Sequence, residues 1–142
     1  MRRIVFLLFS ISLLLLVSAC AKEQIWIEKI DGTWTLTDKT IGETRVENID
    51  LITLYFDSCN QNQEDRCTGQ ITVEYAENGN IETAPMEYMI SWSKNLFLYF
   101  NAESPFQDII YEIKSLKKNT LVLEYYDRAH NYELVSLTFH RN

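Results

Sequence analysis

Three cysteines and two histidines carry the most reactive side chains in this sequence. Cys59 and Cys67 are separated by seven polar or charged residues, whereas Cys20 lies apart, directly after a long apolar run. Two thiols this close along a chain can form a disulfide or contribute ligands to a metal. A structural zinc site needs about four ligands, and neither His130 nor His140 is near the pair in sequence. The sequence therefore predicts no metal site.

Signatures of catalysis are missing as well. The sequence contains no glycine-rich phosphate loop, no nucleophile elbow and no His/Cys cluster. The carboxylates nearest the cysteine pair, Asp57, Glu64 and Asp65, lack the spacing and the glycine of a calcium-binding loop. We therefore expect a protein that is not an enzyme and has no cofactor.

The first 19 residues are typical of an export signal. Arg2 and Arg3 give a positive start, and Ile4 to Val17 is apolar apart from two serines. A membrane-spanning helix needs about 20 apolar residues, so this shorter run favours a secretory signal peptide.

The segment Val17-Ser18-Ala19-Cys20 resembles the lipobox of bacterial lipoproteins. In that family the signal peptide is cut just before the cysteine, which then carries a diacylglycerol. The resemblance implies a signal peptide over residues 1–19, a lipidated Cys20 at the start of a tether over residues 20–29, and a folded domain over residues 30–142. Several acyl chains, such as palmitate, on one cysteine make membrane anchoring nearly permanent. The alternative is an ordinary signal peptide with an unmodified Cys20.

The lipobox resemblance also implies a location in the cell envelope. Ala21 is not the aspartate that retains lipoproteins at the inner membrane of enteric bacteria, so we expect the outer membrane, on either its periplasmic or its surface face. With Cys20 lipidated in an oxidising compartment, Cys59 and Cys67 are expected to form a disulfide that closes a polar loop. A reduced pair is the alternative in a periplasm poor in oxidants.

The net charge excludes one class of partner. Removing Arg2 and Arg3 with the signal changes the formal charge from −7 to −9. Nucleic-acid binding requires clustered lysines and arginines, so no nucleic-acid partner is expected. The charge favours solubility and permits a basic partner, but the sequence identifies no protein partner.

Between Ile30 and the C-terminus the apolar residues recur with a period of two, which indicates antiparallel strands with one buried face. Residues 22–30 precede them and could form one short helical turn. Eight strands joined mostly by short turns favour an all-β, up-and-down barrel, because closure removes exposed edges. A two-sheet sandwich is the alternative. The predicted strands are 33–37, 46–56, 70–75, 87–93, 96–100, 108–115, 120–126 and 132–141.

Gly32-Thr33-Trp34, at the start of the first strand, resembles the Gly-x-Trp signature of lipocalins. In that family the tryptophan plugs the closed end of an eight-stranded barrel, and a basic residue of the last strand lies across its indole. Arg141 has the position for that second role. The resemblance covers about Ile25 to Arg141 and is closest to the small lipocalin-like lipoproteins of bacteria. No second lipocalin motif and no helix after the last strand are evident.

The lipocalin resemblance implies that a small apolar ligand binds inside a cup of apolar and aromatic side chains. The alternative is that the same side chains fill the barrel. A filled barrel would favour a second hypothesis, an interaction protein such as an inhibitor of a basic cell-wall hydrolase, with an acidic surface around the cysteine loop. The candidate ligand-binding residues are Leu54, Phe56, Tyr88, Ile90, Trp92, Leu98, Phe100, Tyr111, Leu123 and Tyr125.

Overall fold

The computed structural model describes residues 23–61, 63–91, 93–128 and 131–142. A helix over residues 23–30, α1, precedes a series of strands. The strands are β1 (Gly32–Ile41), β2 (Thr44–Arg45), β3 (Leu51–Phe56), β4 (Cys67–Glu74), β5 (Ile81–Ile90), β6 (Asn95–Tyr99), β7 (Ile109–Leu116), β8 (Thr120–Asp127) and β9 (Glu133–Arg141).

The strands form a closed barrel. From β3 to β9 each strand pairs antiparallel with the next, β1 pairs with β3, and β9 returns to pair with β1 from Trp34↔Arg141 to Ile41↔Val135. The two-residue β2 only extends the end of β1 as a hairpin. The predicted eight-stranded barrel is thus confirmed, and the β1–β9 pairing excludes the two-sheet sandwich.

The barrel has two different ends. The end where β1 begins, which we call the closed end, carries α1, the cysteine loop after β3 and the turns after β5 and β7. The loops that follow β2, β4, β6 and β8 lie at the other end, the open end. Because an up-and-down chain alternates direction at each strand, the loops segregate in this way.

Alternating side chains from every long strand point into the barrel and make one core. α1 closes this core from below, because Ile27 and Ile30 are both 0% exposed. The predicted helical turn before the first strand is therefore present, and it packs on the barrel rather than serving as a free tether. Among the described residues, every buried core residue lies at Ile27 or later, so a chain that begins at Ala21 keeps all of these contacts.

Several strands differ in extent from their predicted ranges. The strand predicted over residues 46–56 begins only at Leu51, and Asn48 adopts a positive φ of 56° that interrupts an extended strand. β5 begins at Ile81 rather than at residue 87, and β4 begins at Cys67 rather than at residue 70. Pro85 and Gly69 weaken the strand pattern in these two stretches because proline and glycine are poor strand formers; the tertiary pairing nevertheless extends through both.

Gly69 is required by the close approach of β3 and β4. A β-carbon at this position would lie 2.4 Å from the backbone oxygen of Tyr55 and 3.0 Å from Cε of Met86. We expect Gly69→Ala to lower the free energy of unfolding by about 1–3 kcal/mol, since the backbone itself must move. Urea unfolding followed by tryptophan fluorescence measures the loss. A Gly69→Ala protein as stable as the parent would contradict this account.

Candidate functional site

The closed end is built around Trp34 and Arg141. The Trp34 side chain is 0% exposed, and the guanidinium carbon of Arg141 lies 4.5 Å from the centre of its ring system. Trp34 Nε1 donates a hydrogen bond to the Ile30 carbonyl at 2.6 Å, and Arg141 Nη2 donates one to the Lys29 carbonyl. The indole and the guanidinium therefore join both ends of the barrel chain to the end of α1.

Gly32 makes room for this arrangement. It has a φ of 108°, a conformation that side chains rarely adopt, and an added β-carbon would lie 3.4 Å from Nη1 of Arg141. The three residues of the lipocalin-like signature, Gly32, Trp34 and Arg141, are thus brought together in one contact region.

The cysteine loop is also attached to the closed end. Cys59 and Cys67 are joined by a disulfide, with their Cα atoms 5.6 Å apart, so the predicted pairing is present. Gln24 of α1 donates to the Cys59 carbonyl at 3.0 Å and accepts from the Gln61 amide at 3.1 Å. The Gln61 side chain in turn exchanges two hydrogen bonds, both 3.1 Å, with the backbone of Ile90.

These glutamines were not among the predicted residues. Gln61 lies in a polar loop with no periodic signal, and Gln24 lies in the predicted helical turn, where nothing local marks it as a contact to that loop. Only the folded chain shows that Gln24 and Gln61 fasten α1, the cysteine loop and β5 to one another.

Most of the candidate ligand-binding residues lie in the packed core. Phe56 and Tyr88 meet edge to face with their ring centres 4.9 Å apart, and the Tyr88 hydroxyl donates to the Asp57 carbonyl at 2.8 Å. Burial is the main cause that raises the pKa of Tyr88 above its ordinary value. These contacts show that this half of the barrel is filled by side chains. The candidates that are at most 2% exposed are Leu54, Phe56, Tyr88, Ile90, Leu98 and Leu123.

The remaining candidates lie nearer the open end. Tyr111 and Tyr125 form an edge-to-face pair with ring centres 5.4 Å apart, and burial raises the pKa of both phenols. Phe100 packs against Phe106 with ring centres 5.6 Å apart. Trp92, the tenth candidate, lies outside the described residues.

A cleft opens in the barrel wall where β6 is short. The last pair between β5 and β6 is Glu87↔Tyr99, so the described pairings leave the stretch from Ile81 to Met86 joined to β4 alone. The resulting opening, which we call the side cleft, has a volume of about 390 Å³. It is lined by Arg66, Thr68, Gly69, Pro85, Met86, Glu87, Tyr99, Phe100 and Asn101.

The side cleft combines an apolar wall with one polar end. Met86 and Phe100 belong to or pack on the core, and Pro85 adds a third apolar surface. At the polar end, the Arg66 guanidinium lies 3.9 Å from the Tyr99 ring centre and 2.8 Å from Glu87 Oε2. Among the described candidate ligand-binding residues, only Phe100 lines this cleft.

One sequence signal could have located the side cleft. Proline cannot donate to a strand ladder and is confined mainly to sheet edges. Pro85 lies in exactly the part of β5 that β6 does not reach, so it marks the unpaired edge.

Two further observations concern the described residues alone. None of their helices has both the length and the apolar composition needed to cross a bilayer. Their His, Cys, Asp and Glu side chains form no group of three or more that could hold a metal ion.

Comparison with known proteins supports the fold. The structure is similar to a solved lipocalin-like protein from Bacteroides uniformis, with a TM-score of 0.59 and 12% sequence identity, over 80% of this chain and 99% of that one. No protein-family model matches the sequence. No curated protein matches it either. At 12% identity the similarity establishes the closed, lipocalin-like barrel and nothing more specific.

Proposed function

We propose that this protein is a lipid-anchored lipoprotein of the bacterial cell envelope that binds a small apolar ligand in the side cleft. The observation that carries the proposal is the cleft at the gap beyond Tyr99, where Pro85 and the partly buried Phe100 line an opening in the barrel wall beside the buried Met86. Its volume of about 390 Å³ is within the range of about 300–1,000 Å³ usual for small-molecule sites.

The lining of the side cleft defines the chemistry of the ligand. An apolar body would contact Pro85, Met86 and Phe100, and each buried methylene would contribute about 0.8 kcal/mol. A polar group at one end would meet the Arg66 guanidinium. We therefore expect an amphipathic molecule, for example one with a short acyl chain and a single hydrogen-bonding head.

The anchor would hold the barrel in a defined orientation. α1 begins by residue 23 and lies across the closed end, so a lipid on Cys20 is separated from it by three residues, at most about 11 Å of extended chain. The closed end would then face the membrane, and the side cleft would open through the barrel wall. Mass spectrometry of the N-terminal peptide, from the full chain made in a bacterium, tests the anchor. Cys20 should be the first residue and should carry acyl chains.

The ligand itself is tested with a chain that begins at Ala21. We expect this protein, purified from bacterial cells, to retain an apolar molecule that mass spectrometry detects after organic extraction. Asn101→Trp places a large ring at the cleft and should reduce the bound amount at least fivefold, because the ring occupies ligand space.

Gln107→Trp is the matched control for this experiment. Gln107 is an exposed, uncharged residue of the same loop and does not line the side cleft. Equal ligand content in both variants, or an empty parent protein, would end the assignment of a ligand to this cleft.

The half of the barrel that side chains fill favours a second candidate function, an interaction protein that inhibits a basic cell-wall hydrolase. The disulfide holds Glu64 and Asp65 exposed at the closed end, where they could pair with a basic surface. A Glu64→Gln/Asp65→Asn protein should then lose inhibition of a lysozyme that the parent inhibits. A parent with no inhibitory effect removes this candidate.

A further inference from the structure

A second cleft lies at the closed end. Its lining is basic, whereas the cysteine loop at the same end carries the acidic residues Glu64 and Asp65. It has a volume of about 460 Å³ and opens between α1, the turn from β7 to β8, and the end of β9. The Arg141 amide donates to the Asn119 carbonyl at 3.2 Å, which fixes the turn beside the last strand. This basic cleft is lined by Lys29, Leu116, Lys117, Lys118, Asn119 and Arg141.

The basic cleft concentrates positive charge on a protein whose formal net charge is −7. In the described part of the chain, Arg45, Arg66 and Lys114 form ion pairs with carboxylates, whereas the four cations of the basic cleft form none. The nearest acid along α1 is Glu28, adjacent to Lys29. Unpaired lysines at one small opening create a local positive potential that attracts anions despite the negative total.

Arg141 adds a second feature to the basic cleft. Its Nη2 donates to the Lys29 carbonyl, but its buried Nε has no hydrogen-bond partner among the described residues. Buried nitrogen donors are nearly always satisfied. Because Arg141 lines the cleft, its permanently charged guanidinium adds a fixed positive charge beside the lysines.

We propose that the basic cleft binds the phosphate group of an anionic phospholipid. Phosphate matches the cleft because its several acceptor oxygens can contact Lys117, Lys118 and the backbone amide of Asn119 at once. The choice of a lipid as the source of that phosphate rests on the proposed anchoring at Cys20, which would bring the closed end against the headgroups.

The neighbouring surface suits the same environment. The Trp26 ring has Lys29 Nζ at 5.9 Å and Lys94 Nζ at 5.4 Å from its centre, and Ile25 is 48% exposed on the outer side of α1. Tryptophan and lysine are enriched at membrane interfaces, where an amphipathic ring meets the headgroups. The closed end thus presents an aromatic and basic strip beside the cleft.

Vesicle binding tests the proposal with the chain that begins at Ala21, so that no acyl anchor contributes. We expect co-sedimentation with phosphatidylcholine vesicles containing 30% phosphatidylglycerol, roughly, and little binding to pure phosphatidylcholine. Lys117→Gln/Lys118→Gln should weaken binding at least tenfold, because each lysine near an anionic surface raises the membrane affinity about fivefold.

Arg45→Gln/Arg128→Gln is the matched control, since it removes two positive charges from exposed residues of the open end. Its affinity should stay within about twofold of the parent. Vesicle binding that survives the lysine replacements, or that falls equally in the control, overturns the proposal.

Inorganic phosphate distinguishes the two sources of the ligand. Chemical-shift changes of the Lys118 and Asn119 amides at millimolar phosphate, absent in the lysine variant, would retain the cleft as a phosphate site; without vesicle binding, they would replace the lipid by a soluble phosphate. No response to either probe overturns the site. An unmodified Cys20 in the full chain would instead remove the anchor and leave these binding results unaffected.

Discussion

Trp34→Ala should lower the free energy of unfolding by about 3–5 kcal/mol, the range for removal of a large buried aromatic side chain. Trp34 is 0% exposed, and its loss would leave a hole beneath the core. It would also leave the Ile30 carbonyl without its indole donor and the Arg141 guanidinium without the ring against which it lies. Urea unfolding monitored by far-ultraviolet circular dichroism measures the change.

Trp26→Ala is the appropriate control for this experiment. It also removes a tryptophan side chain, but Trp26 belongs to α1, is only partly buried and packs on the outside of the core. We therefore expect a clearly smaller loss. A Trp34→Ala loss below about 1 kcal/mol, or one no larger than that of Trp26→Ala, would contradict the role of Trp34 as the floor of the barrel.

The Cys59→Ser/Cys67→Ser protein should be less stable than the parent by about 2–3 kcal/mol, chiefly because the unfolded chain regains the freedom of an open loop. The disulfide links residues eight positions apart, so the entropic contribution is that of a short loop. Cys67 is 0% exposed, and a serine hydroxyl in its place adds a cost of burial. Urea unfolding in oxidising buffer measures the sum.

Reducing agent separates the two contributions. The parent protein with a reducing agent loses the covalent link but keeps its sulfur atoms in the core, so it should fall between the parent and the double variant. The variant itself should not respond to the reagent. A parent whose unfolding midpoint is the same with and without reductant would mean that the link contributes no stability.

The regular part of the fold could be predicted because its signals are local. Val135, Leu137 and Phe139 alternate with polar residues, and all three are at most 4% exposed inside the barrel. The alternation requires only that one face of the strand is buried, which a sequence displays directly. Prediction was poorer for the stretch from Ile81 to Met86, because Pro85 breaks the pattern that strand pairing with β4 restores.

The candidate ligand-binding residues show the limit of the same reasoning. The alternation of side chains along a strand correctly places Leu54, Tyr88 and Leu123 on the inner face, since all three are buried. It does not tell a filled barrel from a hollow one, because that depends on how side chains from opposite walls meet. Phe56 and Tyr88 meet edge to face and occupy the space that an open cup would need.

By itself, the amino-acid sequence determined which faces of the strands are buried, and its resemblance to lipocalins indicated which tryptophan and arginine could meet at the floor of a barrel. The buried faces follow from short-range periodicity, whereas closure into a barrel rather than a sandwich was decided by the pairing of β1 with β9. Only the tertiary structure decided where the clefts lie. The side cleft exists because β6 ends at Tyr99, opposite Glu87, and does not reach the first part of β5. The basic cleft collects Lys29, Lys118 and Arg141 from three distant parts of the chain. Strand length and the meeting of distant side chains are set by packing of the whole barrel, and no local pattern encodes them.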